Sequence, residues 1–84
     1  MNAQEKDILR RSILEQLAAV SPCGLPQNTM KIGLQTAGFN LSDDELQKEL
    51  VWGIRKGFIR QKGGELSRAN IFYYITAAGF EAID

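Results

Sequence analysis

The stretch Leu41-Ser42-Asp43-Asp44-Glu45-Leu46 decides the fold of this chain, because it contains two independent signals for the start of a helix. Ser42 and Glu45 have the spacing of a capping box, in which each side chain accepts a hydrogen bond from the backbone N–H of the other residue. Leu41 and Leu46 have the spacing of the hydrophobic staple that accompanies such a box. The stretch therefore predicts an amphipathic helix with Ser42 as its N-cap.

This helix is predicted to continue to Gly57, with different residue types on its two sides. One side is an apolar stripe formed by Leu46, Leu50 and Ile54. At about 100° per residue, the side opposite Leu50 carries Lys48, Trp52, Arg55 and Lys56. We expect the apolar side to pack against other helices and the basic side to face outward.

Two further helices are predicted upstream. The first covers residues 3–20 and ends at Pro22 and Gly24, which cannot continue it. Its apolar stripe consists of Leu9, Ile13, Leu17 and Val20, widened by Ile8, Leu14 and Ala18. The second begins near Pro26 or Gln27 and ends at Gly38, a residue suited to a left-handed C-terminal cap. Its apolar stripe consists of Met30, Leu34 and Ala37, with Gly33 beside it as a point of close helix crossing.

The last third of the chain changes to strand-like patterns. Residues 58–62 and 71–75 are predicted as two strands, the second aromatic and β-branched, joined by a hairpin loop that starts at Gly63-Gly64. Tyr73 and Tyr74 alternate sides of their strand, so at least one of them is expected in the core. Thr76 is placed to cap a short final helix over residues 77–83.

This order of elements resembles the winged helix-turn-helix superfamily over nearly the whole chain. The residues that carry the resemblance are Leu46-x3-Leu50-x3-Ile54-x2-Gly57-Phe58-Ile59 and then Tyr74-Ile75-Thr76-Ala77-Ala78-Gly79. The resemblance implies an α+β, mostly α fold: one domain over residues 1–84, with a three-helix bundle, a β-hairpin wing and a short C-terminal helix. It further implies a small DNA-binding regulator whose third helix enters the major groove while the wing reaches a flanking groove or the backbone.

A narrower resemblance is to small, functionally uncharacterised proteins of Mu-like prophages. The stretch from Leu25 to Ile59 is similar to them in spacing, including Ser42, Glu49-Leu50-Val51-Trp52 and Gly57-Phe58-Ile59. This resemblance implies a phage-like or mobile-element accessory protein. The chain departs from it in having acidic residues at both Asp43 and Asp44.

Composition limits the functional classes. The chain of 84 residues has no histidine, one cysteine (Cys23) and a net charge of zero, with 44% hydrophobic residues. It has neither a bilayer-length apolar run nor a signal-peptide pattern, so a cytoplasmic protein with a reduced thiol is expected. It also lacks a phosphate-binding glycine motif and a plausible metal-ligand set. We therefore expect no enzyme activity, no cofactor, no metal, no membrane contact and no small-molecule substrate.

The charge distribution favours double-stranded DNA as a partner more than the net charge does. The stretch from Lys48 to Arg68 contains six basic and two acidic residues, a local excess that the rest of the chain offsets. The candidate DNA-binding residues are Lys48, Arg55, Lys56, Arg60, Lys62 and Arg68. Against this interpretation stand a pI of about 6.2 and the acidic turn Asp43-Asp44-Glu45, where a recognition helix normally meets the bases. Such acids also have a purely structural explanation, because they stabilise the positive end of a helix dipole.

Two functional hypotheses remain open on the sequence alone. The first is a winged helix DNA-binding protein, a small transcriptional regulator or phage accessory protein that acts as a homodimer. The sequence does not fix the dimer surface, for which the first and final helices are the candidates. The alternative is a winged helix protein–protein interaction module that does not bind DNA, with Trp52 and the acidic turn at its interface. Trp52 has three possible roles: packing within the chain, contact with a protein partner, or stacking on nucleic acid.

Overall fold

The computed structural model describes residues 1–67 and 70–84, and its elements follow the predicted order. The elements are the helices α1 (Ala3–Val20), α2 (Gln27–Thr36) and α3 (Asp43–Arg55), the strands β1 (Ile59–Lys62) and β2 (Phe72–Ile75), and the helix α4 (Ala77–Ile83). The strands form one antiparallel pair. The α+β, mostly α winged helix fold predicted from the sequence is confirmed.

Helix α3 begins and ends with the signals that the sequence carries. Ser42 and Glu45 form the predicted capping box, with N···O distances of 2.9 and 3.1 Å. At the other end, Gly57 adopts a positive φ of 78°. The Phe58 N–H then bonds to the Gly53 carbonyl and the Gly57 N–H to the Ile54 carbonyl. This is a Schellman motif, and it directs the chain from the helix straight into β1.

The core lies where the three long helices meet one face of the hairpin. Its buried residues are Leu9, Ile13, Leu14, Leu17, Met30, Leu34, Leu41, Leu46, Leu50, Ile59, Tyr73 and Ile75. Of the residues predicted in the apolar stripes, Ala18, Val20 and Ile54 are half-buried, and two others are exposed. Ile8 is 52% exposed, because it lies about 100° around the helix from Leu9 and outside the buried sector. Ala37 is exposed because it is the C-cap of α2, where the helical periodicity has already ended.

The hairpin is held to the bundle by contacts on both sides of β2. Its register pairs Ile59 with Ile75 and Arg60 with Tyr74. On the other side, an isolated bridge joins Tyr73 to Leu25, the residue just before α2 begins. The two backbone hydrogen bonds of this bridge measure 2.9 and 3.0 Å. The hairpin is therefore tied to the start of α2 as well as to the end of α3.

Three further features bear on the sequence analysis: membrane-spanning helices, the single cysteine and the start of α4. Within residues 1–67 and 70–84, no helix is long and apolar enough to cross a membrane. Cys23 is a free, exposed thiol in the loop between α1 and α2. Thr76 caps α4 as predicted, since its side-chain oxygen accepts a hydrogen bond from the Gly79 N–H at 3.1 Å.

Candidate nucleic-acid interface

The outward side of α3 carries a mixed row of side chains. Asp44, Lys48, Val51 and Arg55 follow one another at steps of four, three and four, which places them on one helical face. Lys48 and Arg55 are exposed and Val51 is half-buried. Since Leu46 and Leu50 on the other side are fully buried, this face is directed away from the core.

The hairpin continues the basic character of α3. Lys56 is the exposed C-cap of the helix, and Arg60 and Lys62 are exposed on β1 a few residues later. The Arg60 guanidinium lies 4.8 Å from the centre of the Tyr74 ring, a cation–π contact with its cross-strand neighbour. Arg68, the sixth candidate from the sequence, lies outside the described residues. We call Lys48, Arg55, Lys56, Arg60 and Lys62 the basic segment.

The cations of the basic segment differ in their partners from three of the four cations of the first two helices, Lys6 being the fourth. In the part of the chain that the structure describes, no salt bridge involves a member of the basic segment. By contrast, Arg10 pairs with Glu49 at 2.7 Å, Arg11 with Glu15 at 2.8 Å, and Lys31 with Asp43 at 3.0 Å. Among the described residues, the positive charges of the basic segment are thus not held in salt bridges.

The acidic turn at the start of α3 is partly occupied by contacts within the chain. Asp43 is paired with Lys31, and its carbonyl accepts a hydrogen bond from the Gln27 amide at 2.9 Å. Glu45 completes the capping box, and its hydrogen bonds with the backbone and side chain of Ser42, with nearby Lys48, hold its pKa below the ordinary 4.5. Among the described residues, Asp44 alone of the three acids has no hydrogen-bond or ion-pair partner. The structural explanation of this turn therefore holds for Asp43 and Glu45.

Trp52 packs inside the chain, which corrects the helical-wheel placement on the outer side of α3. It is half-buried, with the Arg10 guanidinium 3.9 Å from its ring centre. The Phe58 ring meets it edge-on at 5.7 Å and 66°. The same Arg10 is bound to Glu49, so one α1 residue holds two residues of α3. A helical wheel does not predict this contact. It shows which residues of α3 face the core, but not that a long side chain of α1 reaches over to Trp52. A role of Trp52 in an interface stays a prediction.

Two open grooves flank these residues. One, of about 400 Å³, lies where the starts of α2 and α3 approach β2, and includes Gln27, Asn28, Asp44, Gln47 and Tyr73 in its lining. The other, of about 390 Å³, lies between α1, the end of α3 and α4 and includes Trp52. No group of three metal-ligating side chains occurs in residues 1–67 and 70–84.

Comparison with solved structures places this architecture among known winged helix proteins. A transcription regulator of the MarR family superposes with a TM-score of 0.71 at 21% identity, over 90% of this chain and 46% of that chain. A mutant of S. aureus MepR gives a TM-score of 0.70 at 20% identity, over 88% of this chain and 50% of that chain. The chain thus spans about half the length of these structures, and identities this low establish the fold alone.

Sequence comparisons add no closer relationship. No protein-family model and no curated protein sequence matches the chain. The similarity to prophage proteins therefore stays a prediction, and so does any role taken from the function of a similar protein. What the fold contributes is geometry, namely a helix-turn-helix made of α2 and α3 that is followed directly by a hairpin. Some proteins with this arrangement place the second helix of the motif in the major groove.

Proposed function

We propose that the chain binds double-stranded DNA as a winged helix regulator, with α3 in the major groove and the hairpin on the flanking backbone. The observation that carries this proposal is the basic segment, whose five cations are exposed and without salt bridges, while three cations of α1 and α2 are paired. Unpaired cations are the groups that phosphate recognition requires, since each neutralised phosphate releases bound counterions. In this proposal Lys62 and Arg60 contact the backbone, while Lys48 and Arg55 reach into the groove.

The partners of the acidic turn weaken the main objection to this proposal. Three unpaired carboxylates at the start of α3 would repel the phosphates of a duplex. Two of them are instead engaged by Lys31 and by the capping box. Only Asp44 remains without a partner among the described residues, and it lies four residues from Lys48 on the same face.

The packing of Trp52 argues against the protein-interaction alternative in its original form. That alternative needs Trp52 available to a partner, whereas its ring lies against Arg10 and Phe58. The proposal therefore keeps DNA as the ligand. It includes a small regulator or an accessory protein of a phage or mobile element as the biological setting.

The proposal includes a homodimer, since a single small module recognises few base pairs and two half-sites provide more. Support comes from α1 and α4, which pack together through a hydrogen bond from the Arg11 guanidinium to the Ile83 carbonyl at 2.6 Å. Each also has a large exposed apolar side chain, Ile8 at 52% and Phe80 at 43%. Sedimentation is expected to give twice the 9.4 kDa chain mass, and an Ile8→Glu variant to give the monomer. A monomeric wild type would refute this part of the proposal.

The test of DNA binding is a salt titration with a random-sequence duplex. Binding is expected at about 50 mM salt and is expected to fall steeply towards about 200 mM. The double variant Arg60→Ala/Lys62→Ala, which removes the two proposed backbone contacts, should weaken binding to all sequences alike and reduce the slope of log K against log salt by about two. The matched control is Arg11→Ala/Lys31→Ala, which removes the same charge from two paired cations. No duplex binding at low salt, or the same loss in both variants, would refute the proposal.

A further inference from the structure

The side of the hairpin that faces away from the core combines two cations with two aromatic rings. Ile59, Tyr73 and Ile75 are buried, so the alternate positions point to the opposite side. These positions are Arg60 and Lys62 on β1 with Tyr74 and Phe72 directly across from them on β2. We call these four residues the wing outer face. Each cation is thus paired across the strands with an aromatic residue.

The two aromatic rings of the wing outer face differ in what surrounds them. Tyr74 is half-buried, with Arg60 over its ring and Gly24 so close that a Cβ there would lie 2.8 Å from the ring. Phe72 is 39% exposed, and no described residue forms a ring or cation–π contact with it. Tyr74 is therefore held within the fold, whereas Phe72 presents an apolar ring surface beside Lys62.

We propose that the wing outer face binds an unpaired nucleotide of a single-stranded nucleic acid, with Phe72 stacking on the base and Lys62 and Arg60 meeting the adjoining phosphates. An aromatic ring next to cations is the arrangement that holds single strands without sequence preference, because every base has a π-face and every link a phosphate. Neighbouring positions on one side of a strand are roughly 7 Å apart. The two cations are therefore spaced to contact the phosphates along a nucleic-acid backbone rather than one single charge.

The chemistry of this surface selects an unpaired strand over the other occupants. In a duplex the base faces are covered by their neighbours, and only base edges are accessible in the grooves, so Phe72 has no base to stack on. A protein partner would need acidic groups opposite both cations as well as an apolar contact. The wing outer face itself contains no acid. Glu65, the acidic residue that follows β1 in sequence, comes after Gly63-Gly64 and is not one of its four residues. This function goes beyond duplex binding, although it shares Arg60 and Lys62 with it.

The experiment measures the binding of three fluorescent probes to the whole chain by anisotropy. The probes are a thymidine 12-mer, an abasic strand of equal length, and a 12-base-pair duplex. Phe72→Ala and Phe72→Leu are expected to weaken thymidine 12-mer binding about fivefold or more and to change duplex binding less than twofold. Phe72→Trp should retain single-strand binding. Ile32→Ala, which truncates a 63% exposed side chain on α2, is the matched control and should alter neither.

Each outcome of this experiment decides one proposal. The wing-face proposal is overturned if the abasic strand binds as tightly as the thymidine 12-mer, or if the folded Phe72→Leu protein binds the 12-mer like the wild type. It is also overturned if the only effect of Phe72→Leu is a changed sedimentation profile, which would assign the surface to a protein contact. Single-strand binding without duplex binding would leave this proposal standing and refute the duplex function, and the reverse result would do the opposite.

Discussion

The first two helices and the basic segment both contain arginines and lysines, but these side chains differ in whether they form salt bridges. In α1 and α2, Arg10, Arg11 and Lys31 each bind a carboxylate within 3.0 Å. The basic segment has no such pairs among the described residues, although Glu45 and Glu49 belong to the same helix as Lys48 and Arg55. Both of those glutamates are engaged elsewhere, one in the capping box and the other with Arg10. The comparison teaches that Lys48 and Arg55 are left without a salt bridge where the glutamates of the same helix already have partners.

The largest effect that tests this comparison is on stability, at Arg10. Arg10→Ala removes a part-buried ion pair with Glu49 and the cation–π contact on Trp52, and we expect it to lower the free energy of unfolding by about 1–3 kcal/mol. In a domain of this size that corresponds to a melting temperature lower by roughly 4–8 °C per kcal/mol. The matched control is Arg55→Ala, which removes an arginine without a salt bridge and should change stability by less than about 0.5 kcal/mol. Equal losses in thermal melts of the two variants would contradict the distinction between the two regions.

The next effect lies at the boundary between the regions, where Ser42 starts α3. Ser42→Ala removes the side-chain oxygen that accepts the Glu45 N–H, and we expect a loss of about 1 kcal/mol of unfolding free energy. Denaturant titration followed by circular dichroism measures it. Ser42→Asp is the control, since aspartate is an equally good N-cap and should restore most of the loss. If the alanine variant were as stable as the wild type, the capping box would not be what fixes the start of this helix.

A smaller effect is expected on DNA affinity at Asp44, the acid without a partner. Asp44→Asn removes a negative charge from the face that carries Lys48 and Arg55, and should strengthen duplex binding about two- to fivefold at low salt. Glu81→Gln changes the net charge equally but lies on α4, so it should have a smaller effect on the same anisotropy measurement. Equal gains from both variants would show that net charge, and not the α3 face, controls the affinity.

The smallest effect is a pH dependence from Glu45. Because the fold lowers the pKa of Glu45, its charged form contributes stability above the ordinary value of 4.5, and this contribution is lost as pH falls through the folded pKa. Glu45→Gln keeps a capping-box acceptor but cannot be charged. The melting temperatures of wild type and variant should therefore differ most near pH 6 and converge towards about pH 3. A difference that is constant over this range would show that the charge of Glu45 does not contribute.

Local signals in the sequence predicted most of the fold. The capping box at Ser42, the positive-φ glycines Gly38 and Gly57, and the Thr76 cap each act within a few residues, and the structure contains all of them. The predicted alternation of Tyr73 and Tyr74 is also found in the structure, where Tyr73 is buried and Tyr74 is half-buried. These features depend on backbone conformation near the residue itself, which is why periodicity and spacing are sufficient to find them.

Contacts between distant parts of the chain were not predictable in the same way. The bridge between Leu25 and Tyr73 joins residues far apart in sequence, and nothing near either residue indicates the other. The ion pair of Arg10 with Glu49 spans 39 residues, and the cover that the same Arg10 provides for Trp52 does not follow from the helical pattern of α3. The candidate DNA-binding residues are identified by their types and local charge, whereas the feature that separates them from other cations, the lack of an acidic partner, required the structure.

The bridge at Leu25 has a consequence for how copies of this chain behave at high concentration. A two-stranded hairpin has two free edges, and each presents unpaired backbone groups to which a strand of another molecule can add. In this chain Leu25 occupies the outer edge of β2 at Tyr73, the second of its four residues. Among the described residues, no strand or bridge pairs with the outer edge of β1, the strand that carries the exposed cations Arg60 and Lys62. Charged side chains on an open edge oppose edge-to-edge pairing, so the residues proposed to hold nucleic acid also protect the hairpin against aggregation.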